Sequence, residues 1–323
     1  MATGHSDNTI ILVGGGIGGM AAALALSQAG YEVELVEQAP EIGEIGAGIQ
    51  LGPNAFAAMD ALGCGPRARA AAVYNEELLM MDAMDESEVG RLDVGEDFRK
   101  HFGNPYAVIH RADIHKAIYD EALTHHNIRI HTDARIVEVD IGETSTRIKD
   151  QKGREWTGAA IIGCDGVKSV VRHNLIGDPH RVSGHVVYRA VCPKDEFPAD
   201  LAWNSATLWG GPNCHLVHYP LRQGEEYNIV VTFHSREKEE WGVREGSRDE
   251  LLSYFNGISA KPRQLVERAN TWQRWATADR DPTTEWGKGR ATLLGDAAHP
   301  PLQYMAQGAC MALEDAVTLR ETL

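Results

Sequence analysis

The sequence holds no C-x-x-C or C-x-x-x-x-C pair, and its five cysteines, Cys64, Cys164, Cys192, Cys214 and Cys310, are odd in number and scattered. That spacing argues against a disulfide framework or a cysteine zinc site and fits a reducing compartment. No stretch reaches about 18 uncharged apolar residues, and Met1 to Thr9 lack the basic and apolar regions of a leader. A cytoplasmic protein without membrane contact is expected. Positive charge is scarce too, with 31 Lys and Arg against 46 Asp and Glu and a net charge of -15. A surface that tracks nucleic-acid phosphates is therefore not expected, and the expected partner is a small molecule. Long-range charge offers an anion no steering, so a carboxylate ligand would need local donors. Repeats and low-complexity linkers are absent, and 323 residues suffice for two interleaved domains.

What is present starts at Thr9 to Val13, a short β-branched run typical of a strand buried on both faces. It leads into Gly14-Gly-Gly-Ile-Gly-Gly19, then into the helix formers Met20 to Ala29, closed by Gly30. Gly14, Gly16 and Gly19 satisfy G-x-G-x-x-G between a strand and a helix. Glycine there allows a tight turn and lets backbone N–H groups approach a pyrophosphate at the positive end of the helix dipole. A second strand, Tyr31 to Val36, ends at Glu37, where a carboxylate can accept from ribose hydroxyls. The whole fingerprint predicts a dinucleotide site, and by itself it separates neither FAD from NAD nor one reaction from another.

Two later strands end in turns, Ile161 to Asp165-Gly166 and Ala291 to Gly295-Asp296, and Val167 to Arg172 reads as the start of a helix. From about Val182 to Asp281 helical periodicity largely gives way to alternation, in His185 to Val191, Cys214 to Tyr219 and Tyr227 to Phe233, with Leu78 to Asp82 as a further candidate strand. Period two sets His215, Val217 and Tyr219 on one strand face and Leu216 and His218 on the other, so the two histidines cannot share a metal. No metal site is expected.

In their order and separation, Gly14 to Gly19, Asp165-Gly166 and Gly295-Asp296 resemble the three signatures of the single-component FAD-dependent aromatic hydroxylases, the class A flavoprotein monooxygenases, over nearly the whole chain. The resemblance implies an α/β fold. A Rossmann-like FAD-binding domain (8–75, 102–181 and 282–323) would carry an inserted, mostly antiparallel β-sheet substrate domain (76–101 and 182–281). It also implies FAD contacts from Gly14, Gly16, Ile17, Gly18, Gly19, Glu37 and Gln38, from Gly48 in a loop Gly46 to Gln50 along the flavin, and from Arg111. Gly295-Asp296 would hold the ribityl and pyrophosphate, Asp165 and Gly166 would touch FAD and the nicotinamide, and the helix opening at Gln307-Gly308 would aim its N-terminus at the flavin.

Where the family usually reads P-x-x-G-Q-G, this chain reads Gln303-Tyr-Met-Ala-Gln-Gly308, which resembles the subgroup acting on 3-hydroxybenzoate. That likeness implies His215, Tyr219 and Gln303 as catalytic residues, NADH or NADPH as transient co-substrate, and transfer of one oxygen atom from O2 to a phenolic acid. Disulfide reductases are disfavoured by the missing cysteine pair, and flavin halogenases by Trp272 and Trp275 standing as W-x-x-W. Family members continue beyond the equivalent of Leu323, so a C-terminal helical part is expected to be absent, and any dimer contact it carries with it; a homodimer stays open. The alternatives are salicylate or a hydroxynicotinate as substrate, and a truncated, non-catalytic flavin-binding protein.

Overall fold

The computed structural model describes residues 8–43 and 46–323; the segment read as lacking a leader falls mostly outside the described residues. Thr9–Val13 is buried along its length at the middle of a sheet, pairing in parallel with Ala160–Gly163 on one side and Glu32–Val36 on the other. Ile128–His131 and Ala291–Leu293 extend the parallel sheet outward, and Gly287–Lys288 adds an antiparallel edge. A continuous apolar run suits such a strand because both its faces are covered. The helix Ile17–Gln28 starts directly on the glycine turn, three residues earlier than the sequence pattern marks, and is buried almost all round. Small alanines let it pack closely against Arg111–Ala122 and the terminal helix Gly308–Thr322, with Met20, Leu24, Phe56, Ile118 and Leu313 in one apolar layer.

A second sheet has eight strands in the order Gly242–Glu245, Gln273–Asp279, Arg181–Pro193, Glu226–His234, Cys214–Leu221, Ser205–Gly211, Glu77–Asp82 and Glu88–Asp93. It is antiparallel except where Ser205–Gly211 runs parallel to Glu77–Asp82, a pairing that brings the early segment into the later sheet. One face carries Val186, Tyr188, Trp209, Leu216, Val231 and Phe233 into a core of its own. That core is closed by two helices, Arg248–Tyr254 and Ala260–Arg268, which strand alternation alone did not predict. They form because Ser247 caps the first through the Glu250 N–H, and because Leu251, Leu265 and Val266 bury one stripe on the sheet. The opposite sheet face looks onto the glycine turn.

Two local expectations need correction, and one sheet lay outside them. Gly48–Leu51 is a strand paired with Ala107–His110 rather than a loop. The helix after the Asp-Gly turn spans only Val170–Leu175, because Ser169 accepts from the Arg172 N–H and sets its start there. A three-stranded sheet, Ile136–Ile141, Thr146–Asp150 and Glu155–Gly158, went unread. Among the described residues no helix is long and apolar enough to cross a membrane.

Candidate functional site

The glycine turn is shaped by contacts that leave no room for side chains. Gly14 sits at φ 106°, where a Cβ would stand 2.4 Å from the Cys164 carbonyl oxygen, and a Cβ on Gly19 would stand 1.9 Å from the Gly14 carbonyl oxygen. The Glu37 carboxylate accepts from the Gly15 N–H at 2.7 Å and the Ala39 N–H at 2.8 Å, and buried His115 Nε2 lies 2.7 Å from the Gly15 carbonyl. Glu37 therefore braces the turn as well as facing the cleft.

The two distant turns are fastened to each other. Arg172 is wholly buried; its guanidinium pairs with both Asp178 oxygens at 2.7 and 2.8 Å and donates to the Ala297 and Ala298 carbonyls. Asp165 Oδ2 accepts from the Val170 N–H at 2.7 Å, while its Oδ1 is buried without a partner and burial raises the carboxyl above its usual range. On the terminal helix, Asp315 accepts from the Gly295 N–H at 2.9 Å and meets His299 Nε2 at 2.6 Å, a hydrogen bond that raises the His299 pKa. Gln307 stands at the N-cap position of that helix without a side-chain bond to it, its amide oxygen accepting from Asn54 at 3.0 Å.

Two connected cavities lie between the turn and the second sheet. The first, of about 920 Å³, is lined by Gly14, Gly16, Glu37, Gln38, Asp165 and Gly166 among others. The second, of about 610 Å³, is lined by Ile17, Gly18, Gly48, Gly295, Gln307 and Gly308 on its floor and by His215 and Tyr219 from the sheet. Arg111, Asp296 and Gln303 line both. Gly19 faces neither; its closeness to Gly14 makes it a packing residue of the turn. Cross-strand register fixes the roof: His215 opposes Thr232, Val217 opposes Val230 and Tyr219 opposes Asn228, with Leu78 and Leu208 completing an apolar wall.

The strand histidines part as period two requires. The His215 side chain hydrogen-bonds to no other described residue, and its ring lies 5.8 Å from that of Tyr304; burial, then the nearby His185, lowers its pKa. An imidazole so placed is neutral at pH 7 and free to accept a proton. His218 is buried on the other face, between the Trp209 Nε1 at 3.3 Å and the Leu201 carbonyl at 3.1 Å, with its pKa lowered to about 4. Tyr219 is buried beside Gly48, and burial pushes its pKa up, so its hydroxyl stays protonated. Both polar atoms of the Gln303 amide are buried without a partner, a costly state that a ligand in the cavity would relieve.

Sequence reasoning missed three residues here. Arg189 lines both cavities, with its guanidinium carbon 5.5 Å from the Trp275 ring centre. Tyr106 donates to Gln50 at the edge of the second cavity, and Arg172 makes the tie described above. Only the alternation of the strand His185 to Val191 could have flagged Arg189, as a charge on the face shared with Val187.

A glycine turn closed to side chains, a helix N-terminus, an acid at the second strand and unpaired polar atoms facing the cavity fit the pyrophosphate, ribose and polar ring of FAD. Fold and site together define a flavoprotein in which a dinucleotide cradle is roofed by an inserted sheet. The chain belongs to the family described as FAD binding domain, which matches residues 7–323, and FAD is its cofactor. It is a flavoprotein monooxygenase, an oxidoreductase. It is 59% identical over 323 residues to a 3-hydroxybenzoate 6-hydroxylase of Polaromonas naphthalenivorans (strain CJ2), covering all of this chain and 81% of that protein. It is 58% identical to a 3-hydroxybenzoate 6-hydroxylase of Klebsiella oxytoca, over 97% of this chain and 79% of that one. Its fold is similar to that of Klebsiella pneumoniae HpxO complexed with FAD and uric acid, at a TM-score of 0.83 and 22% identity, over 97% of this chain and 79% of that one.

Proposed function

We propose that this chain hydroxylates 3-hydroxybenzoate at C6, the carbon para to the phenol, to give 2,5-dihydroxybenzoate, using NADH or NADPH and O2. The observation that carries the reading is the second cavity, where a neutral imidazole, a protonated phenol and an unpaired amide converge on an apolar space in a chain so similar to the two 3-hydroxybenzoate 6-hydroxylases. Held by the cradle residues Gly14, Gly16, Glu37 and Asp296, FAD would supply the oxygen-transfer chemistry, with NADH or NADPH as the electron source and O2 as the oxygen source.

The protein's own work is orientation and proton handling. Segments 8–75, 102–181 and 282–323 bind FAD, and 76–101 with 182–281 bind the acid. His215 accepts the phenol's hydrogen bond and draws its proton, which moves electron density to the para carbon. Gln303 turns one amide atom to the same hydroxyl, and Tyr219 donates to the carboxylate, whose charge the neighbouring Arg189 favours. Leu78, Leu208, Val217 and Val230 keep water from the reacting face. Gly14, Gly16, Ile17, Gly18, Glu37, Gln38, Arg111, Asp165, Gly166, Gly295 and Asp296 carry the cofactor, and Gly48, Gln307 and Gly308 border its ring. The five free cysteines suit the reducing cytoplasm.

The test is to supply the FAD-loaded protein with a panel of hydroxybenzoates, salicylate and 6-hydroxynicotinate, while following nicotinamide oxidation, peroxide and product by chromatography. 2,5-Dihydroxybenzoate from 3-hydroxybenzoate, formed in step with nicotinamide oxidation, is expected. A different preferred acid, or oxidation that ends only in peroxide with every acid, overturns the reading.

A further inference from the structure

The roof sheet carries titratable side chains that the proposed reaction does not use. In strand register His215 opposes Thr232 and Thr232 opposes Val187, while one step further along His234 opposes His185. Period two puts Thr232 and His234 on one face of their strand, and His185, Val187 and Arg189 on one face of theirs, so all share the face that His215 turns to the cavity. Tyr304, from the loop below, lies between two of the histidines: its ring centre is 5.8 Å from that of His215 and 5.7 Å from that of His185. The rings of His185 and His234 are 5.0 Å apart, and His234 is exposed. A row of rings therefore leads from the phenol's chamber to the surface.

The sheet is shaped to hold His185 there. Pairing between Arg181–Pro193 and Gln273–Asp279 slips between Val182 and Val186, a bulge that re-aims the strand. Inside it Ser183 Oγ accepts from the His185 N–H at 3.1 Å, and Thr277 Oγ1 donates to the His185 carbonyl at 3.0 Å. Gly184, at φ 80°, leaves room for the next ring, since a Cβ there would stand 3.1 Å from His234 Nε2. His234 Nδ1 lies 3.1 Å from the Ser235 carbonyl, which can only accept, so Nδ1 carries the proton and Nε2 is the open acceptor. Thr232 Oγ1 and His185 Nδ1 are buried and hydrogen-bond to no described residue, a cost that persists where a group must be ready to pass a proton. Burial and then the next ring outward lower both inner pKa values, His185 acting on His215 and His234 on His185, so neither ring retains a proton at pH 7. The groups facing His185 are His234, Tyr304 and His215, with Arg189 further along its own strand.

We propose that His185 and His234 carry away the proton that His215 takes from the phenol, the hydroxyls of Thr232 and Tyr304 joining His215 to His185. The inference rests on the proposed function for its proton donor. The phenol O–H gives its proton to His215; His185 accepts one at Nδ1 as it releases one from Nε2, and His234 accepts at Nε2 and passes it to bulk water. One proton enters and one leaves, nothing is oxidised or reduced, and each imidazole returns to neutral. Without that exit the imidazolium of His215 would keep its proton beside the very oxygen whose electron density the reaction needs.

The experiment mixes FAD-loaded protein, without nicotinamide, with 3-hydroxybenzoate in weakly buffered solution near neutral pH and follows proton release with an indicator dye by stopped flow. The parent is expected to release a proton rapidly on binding. His185→Phe keeps an aromatic ring and should slow that release about tenfold, and His234→Gln, at the surface, about threefold. Added imidazole should restore both rates, because a diffusible base replaces the missing one, and should leave the parent unchanged. Flavin absorbance and the Kd of 3-hydroxybenzoate serve as folding controls; should His185→Phe lose flavin, the exposed His234→Gln decides. Unchanged release in the variants overturns the proposal. So does slowed release that imidazole fails to restore, the mark of a packing role, and so does a parent that releases no proton. Proton release that responds as stated in a protein that makes no 2,5-dihydroxybenzoate leaves the relay standing and removes only the reading of the reaction.

Discussion

The glycine-turn cradle and the sheet above it present different things to the same cavity: the cradle offers backbone, the sheet offers side chains. In the cradle, selectivity comes from what is missing, since a Cβ at Gly14 or Gly19 would collide with main-chain atoms. On the sheet it comes from which residues strand register points inward, with His215, Val217 and Tyr219 in one row and Leu216 and His218 on the opposite face. A cradle of that kind tolerates no substitution at its turn, whereas the sheet tolerates any residue that preserves packing and loses only the chemistry of the one replaced.

The largest expected effect is in the cradle. Gly19→Val puts a branched side chain where even a Cβ falls 1.9 Å from the Gly14 oxygen, so the turn must open. FAD retention should fall about a hundredfold, read as protein that purifies without its yellow chromophore. Normal flavin content would show that backbone closeness is not what builds the cradle.

On the sheet, His215→Ala should leave flavin content intact and lower product formation about 100-fold while nicotinamide oxidation continues into peroxide. The pH dependence follows from the same imidazole. Its pKa lies below the usual 6.5, and it acts only while neutral, so product yield should be flat near pH 7 and fall only on the acid side of the ordinary histidine range. A yield that already drops between pH 8 and 7 would point to another group. Tyr219→Phe removes one donor from a buried wall and keeps the ring, so Kd for 3-hydroxybenzoate should rise about tenfold with flavin content unchanged.

The same contrast explains which features were legible from sequence. Strand, glycine turn, helix and Glu37 follow one another within thirty residues, and each leaves a local mark, so the cradle could be read with its boundaries nearly in place. The facing of His215 and Tyr219 was legible too, because period two is local. Arg189 was not: it reaches the cavities only because its strand pairs Arg189 with Val230 and the sheet is laid over the turn, facts that live in long-range register. Arg172 reads as an ordinary helix-start arginine until the Ala297 and Ala298 carbonyls arrive from the far end of the chain. Gly48 belongs to a strand because Ala107–His110 pairs with it, and the glycine is needed there because Tyr219 and Asn228 close over it at 2.5 and 2.9 Å from a Cβ position.

The smallest effect on the reaction should come from the other histidine of the same strand. His218 is buried away from the cavity, accepting from the Trp209 indole N–H, and His218→Leu should leave product yield as it was. Its effect falls on stability instead. Losing the acceptor leaves a buried N–H unpaired at a cost of about 1–3 kcal/mol, seen as a lower Tm at pH 7. The folded-state pKa near 4 lies below the 6.5 of the unfolded chain, so folding favours the neutral ring. That preference makes no difference above about pH 6.5, and stability is lost as pH falls from there toward 4, by roughly 3 kcal/mol in all. The leucine variant has no such proton to bind in its unfolded state. Its melting temperature should therefore decline less steeply than the parent's between pH 6.5 and 4, and parallel curves would show that His218 is not the group that titrates.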